Sequence, residues 1–276
     1  MGLQVCFPNG KKKVVTLSYD DGQIYDRRLV DLLDRYGLRA TFHLNSGTLG
    51  TSNETDEFLL PDEIEELFEG HEIACHGVTH PYFSELPKER IISEIREDRR
   101  KLESCAGYPV RGFSYPYGEI SGETSDMAAR LGIEYARTVE DTGEYHIPTD
   151  FMHWNPTCHH NKALLYLDEF LHPLPYRNLL LFYVWGHSFE FEREQTWDMM
   201  EQFCRKISGH EDVWYATNIE IKDYITAYRS LVLTVNGDAV YNPSAVEVYL
   251  QTDAGLISVK PGETKKCGCK DTEQPL

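Results

Sequence analysis

Seven short apolar segments alternate with stretches of helical periodicity over the first 229 residues, and this alternation limits the possible folds more than any other sequence feature. Leu179 to Trp185 is apolar without a break, which is typical of a parallel strand covered by helices on both faces. The pattern predicts right-handed βαβ units and therefore an α/β fold with a parallel sheet or barrel. We predict strands at 14–19, 40–44, 71–76, 112–118, 133–137, 179–185 and 213–217, and helices at 25–36, 62–69, 87–105, 125–131, 161–171, 192–207 and 219–228.

The pattern changes after Arg229. Leu231 to Val235 and Val246 to Leu250 follow one another without a helix between them, and turn-forming Asn, Gly and Pro residues separate them. This is the pattern of a small antiparallel sheet. The predicted organisation is a barrel domain at 1–229, a β extension at 230–264 and a disordered tail at 265–276.

The first predicted strand ends in two adjacent carboxylates, Asp20 and Asp21, followed by Gly22. Two aspartates in a partly dry site either hold a cation or drive one pKa upward, so the pair suggests a metal ligand beside a general base. The alternative is a solvated Asp-Asp-Gly turn.

Two histidines, His76 and His80, lie four residues apart at the end of the third predicted strand. Functional sites of parallel α/β barrels lie at the carboxyl ends of the strands. Further strand ends carry Tyr117, Arg137 and His187. One aspartate and two histidines give three protein ligands with positions left for water and substrate, which is typical of a hydrolytic metal site.

The charge balance limits the partners. The chain has 27 Lys and Arg residues and 45 Asp and Glu residues, which gives a net charge of −18. This charge repels nucleic acid and anionic lipid, so we expect no nucleic-acid or membrane partner. No apolar stretch approaches the roughly 18 residues of a membrane span. Seven irregularly spaced cysteines favour a reducing compartment, and residues 1–8 lack the features of a secretory signal, so we expect a cytoplasmic protein. The sequence does not indicate an oligomeric state.

Four motifs in order resemble those of the polysaccharide deacetylase family. They are Ser18-Tyr19-Asp20-Asp21-Gly22, the segment His76 to His80, Tyr115-Pro116-Tyr117-Gly118 and Trp185-Gly186-His187. The resemblance covers residues 14 to about 218. It implies a distorted (β/α)7 barrel and a metal-dependent hydrolase that removes acetyl groups from N-acetylated, or alternatively O-acetylated, sugars.

The resemblance also implies roles for individual residues. Asp20 would be the general base, and Asp21, His76 and His80 would hold zinc or a similar divalent ion. The backbone N–H of Tyr117 would bind the substrate oxyanion, and His187 would be the general acid. These roles agree with the chemistry of amide hydrolysis, in which the leaving nitrogen needs a proton before it departs.

The sequence departs from the family pattern at two points. The family often has an arginine where Ser114 stands, and we predict that Arg137 reaches the base aspartate instead, the alternative being a surface ion pair. The usual acidic partner of the acid histidine has only ambiguous candidates, Asp141 and Asp150.

Three further side chains are candidates for the cleft. Trp154 would stack on a sugar face and so bind substrate, or else pack in the core. His159 and His160 either line the cleft or face solvent.

Two other functions are consistent with the same residues. One is hydrolysis of a non-sugar amide or ureide on the same barrel, which the serine at Ser114 leaves open. The other is a non-catalytic carbohydrate-binding protein, against which the retention of Asp20 and His187 argues, because binding alone needs neither a base nor an acid.

Overall fold

The computed structural model describes residues 3–175 and 177–267 of the chain. The strands are β1 (Gln4–Cys6), β2 (Lys13–Asp21), β3 (Ala40–Leu44), β4 (Glu72–Cys75), β5 (Gly112–Ser114), β6 (Tyr135–Arg137), β7 (Cys158–His159), β8 (Leu180–Gly186), β9 (Val213–Tyr215), β10 (Val232–Leu233), β11 (Ala239–Tyr241), β12 (Val248–Thr252), β13 (Gly255–Val259) and β14 (Thr264–Lys266). The helices are α1 (Asp26–Arg35), α2 (Ile64–Leu67), α3 (Lys88–Ala106), α4 (Gly122–Arg130), α5 (Ala163–Leu171), α6 (Ser188–Arg193), α7 (Trp197–Ile207) and α8 (Asn218–Arg229).

Strand β2 lies at the centre of the main sheet. Its β-branched and apolar residues are buried, as in a strand covered by helices on both faces. It pairs in parallel with β8 along 13–19, with β9 along 13–15 and with β3 along 17–21. Strand β9 pairs only with the first residues of β2. The carboxyl end of β2, which carries Asp20 and Asp21, therefore lies between β3 and β8.

The main sheet is parallel and curled, in the order β6-β5-β4-β3-β2-β8-β7 with β9 beside β2. Irregular backbone spans the gap between its edges. The Trp154 N–H donates to Ala136 O at 3.0 Å, the Thr138 N–H donates to Trp154 O at 3.1 Å, and the Thr157 N–H donates to Tyr183 O at 2.8 Å. The predicted distorted (β/α)7 barrel is confirmed, and its distortion lies in this segment.

Some predicted elements were wrong in detail. The segment 138–160, which separates the strand predicted at 133–137 from the helix predicted at 161–171, contains the short strand β7. The single helix predicted at 192–207 is the pair α6 and α7. Gln195 adopts a φ of 54° between these two helices, a conformation that a continuous helix does not allow. The helix predicted at 62–69 shortens to α2.

The C-terminal residues form two antiparallel three-stranded sheets, β10-β11-β14 and β1-β12-β13. The predicted β extension is therefore present, but the N-terminal strand β1 joins it by pairing with β12. The predicted tail begins too early, because Lys265 and Lys266 lie in β14 and Cys267 is buried. Residues 268–276 of that predicted tail lie outside the described residues.

Within the described ranges, no helix combines the length and the apolar character needed to cross a bilayer.

Tyr224 of α8 joins the N-terminal strand to the β extension. Its hydroxyl donates to Cys6 O at 2.6 Å and accepts from the Tyr249 N–H at 3.0 Å. The side chain is buried in an apolar cluster with Phe7 and Leu250. One buried hydroxyl thus satisfies a backbone group on each of two neighbouring strands.

We expect Tyr224→Phe to lower the free energy of unfolding by about 1–3 kcal/mol, because it leaves two buried backbone groups without their partner. Denaturant unfolding followed by circular dichroism measures this loss. Tyr228→Phe on the same helix is the matched control. Equal stability of the two variants would contradict the bridging role of Tyr224.

Candidate active site and metal centre

The curl of the sheet brings the predicted polar residues together at the carboxyl ends of the strands. Asp20 is only 2% exposed. Its neighbours come from strands that are far apart in the sequence. The converging residues are Asp20 and Asp21 in β2, His43 in β3, His76 just after β4, Ser114 in β5, Arg137 in β6 and His187 just after β8.

Asp21, His76 and His80 lie within reach of one cation. The Asp21 Oδ1 atom lies 3.6 Å from His76 Nε2 and 3.8 Å from His80 Nε2, and the three ligand atoms all lie within 4.8 Å of one another. Ligand atoms about 2.1 Å from a tetrahedral ion lie roughly 3.4 Å apart, so a small inward movement would place all three in coordination. This donor set fits a divalent cation.

His76 is oriented for metal binding by its second ring nitrogen. We assign its proton to Nδ1, because the carbonyl oxygen of Ser114, which can only accept, lies 2.9 Å away. This leaves the Nε2 lone pair facing Asp21 and His80. Burial lowers the pKa of His76 to about 3, so the ring stays neutral as a metal ligand requires.

Three non-glycine residues of the site adopt left-handed backbone conformations: Asp21 (φ 82°), His80 (φ 52°) and Tyr117 (φ 57°). Each such residue costs free energy and persists only where its surroundings enforce it. Asp21 and His80 are two of the three candidate metal ligands, so the strain lies in the segments that aim them.

Helix α3 supplies two carboxylates that fix the loop between His76 and His80. Asp98 accepts hydrogen bonds from the backbone N–H groups of His76 at 2.9 Å and Gly77 at 3.0 Å, and from that of Ser46 at 2.8 Å. Glu94 accepts from the N–H of Thr79 at 2.8 Å and from its hydroxyl at 3.0 Å. The loop is therefore pinned from the helix behind it.

Asp20 is surrounded by side chains that donate hydrogen bonds or carry positive charge. The Arg137 guanidinium contacts its Oδ2, His43 Nδ1 lies 3.3 Å from its Oδ1, and the Ser114 hydroxyl donates to Oδ1 at 3.4 Å. Burial by itself raises the pKa of Asp20, but Arg137, His76 and His43 outweigh it and hold the pKa well below its usual range. The predicted contact between Arg137 and Asp20 is confirmed.

Arg137 is itself held from two sides. It is fully buried, donates to Thr138 O at 2.9 Å, and lies over the Trp185 ring at 4.7 Å from the centroid. The Trp185 Nε1–H donates to Asp141 at 2.9 Å, and Lys162 binds the other oxygen of Asp141 at 2.9 Å. Asp141 thus positions the tryptophan that covers Arg137.

The carboxylate that faces His187 is Glu190, which is not among the predicted site residues. His187 Nδ1 lies 3.3 Å from Glu190 Oε1. Burial lowers the pKa of His187, but Glu190, Asp20 and Asp21 outweigh it and raise the pKa above its ordinary value. Protonated His187 is a reasonable proton donor.

Neither of the two ambiguous candidates, Asp141 and Asp150, is the carboxylate that faces His187. Asp141 is occupied by Trp185 and Lys162, as described above, and Asp150 accepts from the Met152 N–H at 2.8 Å at the start of a 3-10 turn. The i, i+3 spacing of His187 and Glu190 at the start of α6 was the sequence signal for the correct partner.

Trp154 does not line the cleft. It is 1% exposed and packs against Phe151, Tyr135 and Tyr183, with ring centroids 5.0, 5.6 and 4.9 Å away. Its predicted role in binding a sugar was therefore wrong. It lies in the core because its backbone closes the gap next to β6.

Exposed aromatic rings occur instead at Tyr82 and Tyr117. The two rings stack at 3.7 Å with an interplanar angle of 4°, and about half of each side chain is exposed. The Tyr117 ring also meets His80 edge-on at 4.4 Å. An aromatic surface therefore borders the candidate metal ligands.

Residues 8–136 match the sequence model of the polysaccharide deacetylase family. This match covers 129 of the 276 residues, a little under half of the chain. The resemblance to this family is confirmed over these residues.

Curated proteins are similar to part of this chain. Chitin deacetylase 1 from Cryptococcus neoformans var. grubii is 27% identical over 147 residues, covering 49% of this chain and 30% of the relative. A peptidoglycan-N-acetylglucosamine deacetylase from Bacillus cereus is 27% identical over 129 residues, covering 46% of this chain and 56% of the relative. The chain thus aligns with less than two thirds of the length of either protein.

Solved structures share the fold of this chain. A Mycobacterium smegmatis protein assigned as a polysaccharide deacetylase has a TM-score of 0.62 at 19% identity, covering 82% of this chain and 94% of that chain. The Xyl-CE4 domain of a xylanase from the hindgut metagenome of Trinervitermes trinervoides has a TM-score of 0.53 at 18% identity, covering 78% and 92%.

A further solved structure with this fold comes from a CE4 family pseudoenzyme, as a mutant with restored activity. Its TM-score is 0.50 at 18% identity, and the match covers 78% of this chain and 68% of that chain. The fold alone therefore does not establish activity, which depends on the residues of the site.

We expect Asp98→Asn to weaken metal binding about 10–100-fold, because an amide cannot accept the three N–H groups that hold the ligand loop. Zinc titration of the metal-free protein measures the change. Glu97→Gln, which changes a partly exposed residue of the same helix, is the control. Unaltered affinity in Asp98→Asn would show that the loop needs no support from α3.

Asp26, at the first turn of α1, is a buried carboxyl group beside the site. Neither of its oxygens has a hydrogen-bond partner among the described residues. Burial raises its pKa to about 8; Ser188 opposes this, while the charges of Asp21 and Asp20 add to it. Folded protein therefore keeps Asp26 protonated at neutral pH.

We expect Asp26→Asn to become more stabilising, relative to wild type, as the pH rises from about 4 to about 8. The unfolded chain releases this proton near the ordinary value of 3.8 and the folded chain near 8, so wild-type stability falls across that interval. The advantage of the variant should grow by up to about 1.4 kcal/mol per pH unit. Denaturant unfolding at several pH values measures it.

The control is Asp31→Asn, an exposed change on the same helix. A pH-dependent gain of similar size in that control, or none in Asp26→Asn, would contradict a protonated Asp26.

Proposed function

We propose that this protein is a metal-dependent hydrolase that removes acetyl groups from N-acetylated sugars or oligosaccharides. The observation that carries the proposal is the grouping of Asp21, His76 and His80 within reach of one cation, with Asp20 and His187 beside them. Both curated relatives described above are named for deacetylation, one of chitin and one of peptidoglycan N-acetylglucosamine, which favours an N-acetyl group over an O-acetyl group.

Asp21, His76 and His80 would hold the cation, and we assign zinc because imidazole nitrogen and carboxylate oxygen suit it. When bound there, the ion would polarise the acetyl carbonyl and make a nearby water more acidic. The Ser114 carbonyl and the α3 carboxylates would keep the ligands in place.

Asp20 would be the general base. Arg137 and His43 keep it anionic at neutral pH, so it is ready to accept a proton from the attacking water. The backbone N–H of Tyr117 would donate to the oxyanion that forms on the acetyl oxygen.

His187 would be the general acid. The leaving nitrogen of an amide departs as a neutral amine only after it receives a proton, and Glu190 favours the protonated imidazole that supplies it. The products are acetate and a free amino sugar.

The exposed pair Tyr82 and Tyr117 supports a sugar substrate, because sugar rings pack against aromatic faces. The net charge of −18 suits a neutral or cationic glycan. We also propose a cytoplasmic location, supported by Cys6, Cys75, Cys105, Cys158 and Cys204, none of which forms a disulfide.

We expect the purified protein to release acetate from a panel of chitooligosaccharides, and to lose this activity when a chelator removes its metal. Zinc added back should restore turnover. Asp20→Asn should lower kcat by about 10²–10⁴-fold while the zinc content stays unchanged, because it removes the base but no metal ligand. Because the variant also leaves Arg137 without its buried counter-charge, circular dichroism at the assay temperature must show that it is folded.

Acetate release that survives full metal removal would contradict the mechanism. Turnover of amides or ureides without turnover of any acetylated sugar would identify a non-sugar C–N hydrolase. Zinc and oligosaccharide binding without release of acetate would identify a carbohydrate-binding protein.

A further inference from the structure

A second group of side chains that could hold a metal ion includes Glu190, the residue that also faces His187. It consists of His159 at the end of β7, His160 in the 3-10 turn that follows, and Glu190 in α6. Glu190 Oε2 lies 3.0 Å from His159 Nε2 and 3.3 Å from His160 Nε2. The two imidazole rings lie next to each other, with centroids 4.2 Å apart.

These separations fit a small divalent ion. The two distances from Glu190 Oε2 to the imidazole nitrogens are close to the roughly 3.4 Å expected between two ligand atoms of a tetrahedral zinc ion. The donor set of two imidazoles and one carboxylate matches that of the Asp21, His76 and His80 group. His159 is 17% exposed and Glu190 is 24% exposed, so an ion can reach the group from solvent although His160 is buried.

We propose that His159, His160 and Glu190 form a second divalent-cation site, which binds zinc more weakly than the Asp21, His76 and His80 site.

The lower affinity follows from the hydrogen bonding of Nδ1, the ring nitrogen that would not bind the ion. Nδ1 of His76 donates to the Ser114 carbonyl, whereas Nδ1 of His159 and Nδ1 of His160 are buried and have no hydrogen-bond partner among the described residues. A metal on Nε2 requires the proton on Nδ1, where it would stay unpaired. Loss of such a partner costs about 10–100-fold in metal affinity, and this is the expected gap between the two sites.

Occupancy of the second site has a consequence for the proposed reaction. The Oε1 atom of Glu190 faces His187 Nδ1 at 3.3 Å, while its Oε2 atom faces the second site. An ion on Oε2 would draw the Glu190 carboxylate toward the second site and away from His187. If the proposed function holds, excess zinc inhibits the enzyme by weakening the contact that positions His187.

The test of zinc binding does not depend on enzymatic activity. Metal-free protein is titrated with Zn²⁺, and two classes of site are expected, the weaker by about 10–100-fold. His159→Gln should keep the strong class and lose the weak one, and His80→Gln should weaken the strong class. His146→Gln, which changes an exposed histidine on the neighbouring loop, is the control and should keep both.

Circular dichroism confirms that each variant is folded, and Co²⁺ in place of Zn²⁺ gives a spectral difference between wild type and His159→Gln that reports the second site directly. A single class in wild type, or a weak class that persists in His159→Gln, overturns the proposal. This result is independent of whether the protein deacetylates sugars.

The activity test addresses the consequence. With the strong site filled, additional Zn²⁺ should reduce acetate release by wild type and by His146→Gln, but not by His159→Gln. Equal inhibition of all three proteins would overturn the link between the second site and His187.

Discussion

The buried ion pair of Asp20 and Arg137 is the interaction on which the site depends. Both side chains are removed from water, so each carries a desolvation cost, and the charge of Arg137 is the largest of the interactions that offset this cost for Asp20. Removal of one partner from such a pair costs about 3–5 kcal/mol, since it leaves a buried charge uncompensated. The pair forms only because the sheet curls until β6 approaches β2, although three strands, β5, β4 and β3, lie between them in the order of pairing. The shape of the sheet and the charge of Asp20 are therefore coupled.

The candidate metal ligands are held by a layer of residues that would not contact substrate. Ser114 fixes His76, Asp98 and Glu94 hold the loop that carries His80, and Asp141 holds the tryptophan over Arg137. The strained backbone at Asp21 and His80 is stable because these contacts enforce it. Such pre-organisation lets a hydrolase meet its transition state without first rearranging.

Much of the site could be predicted from local sequence, because strand ends in a parallel sheet converge. Asp20, Asp21, His76, Arg137 and His187 follow directly from the strand pattern and its motifs. Trp154 and Glu190 could not be placed in this way. An aromatic residue in a long loop has the same sequence signal whether it faces a cleft or the core, and the partner of an imidazole is decided by distances across elements. His43 was not predicted as a site residue. The sequence pattern of a strand does not show which side chains of other strands its buried residues contact.

The sequence by itself determined the alternation of strands and helices, the order of the motifs and the residue types at the strand ends, because these depend on periodicity and local chemistry. Tertiary structure alone decided that β1 belongs to the C-terminal sheet, that residues 154–157 span the gap in the barrel, and that Glu190 stands between His187 and the His159–His160 pair. The physical reason is that these contacts join residues distant in the chain or on separate elements. Their free energy comes from burial and charge compensation, which appear only when the whole sheet has curled.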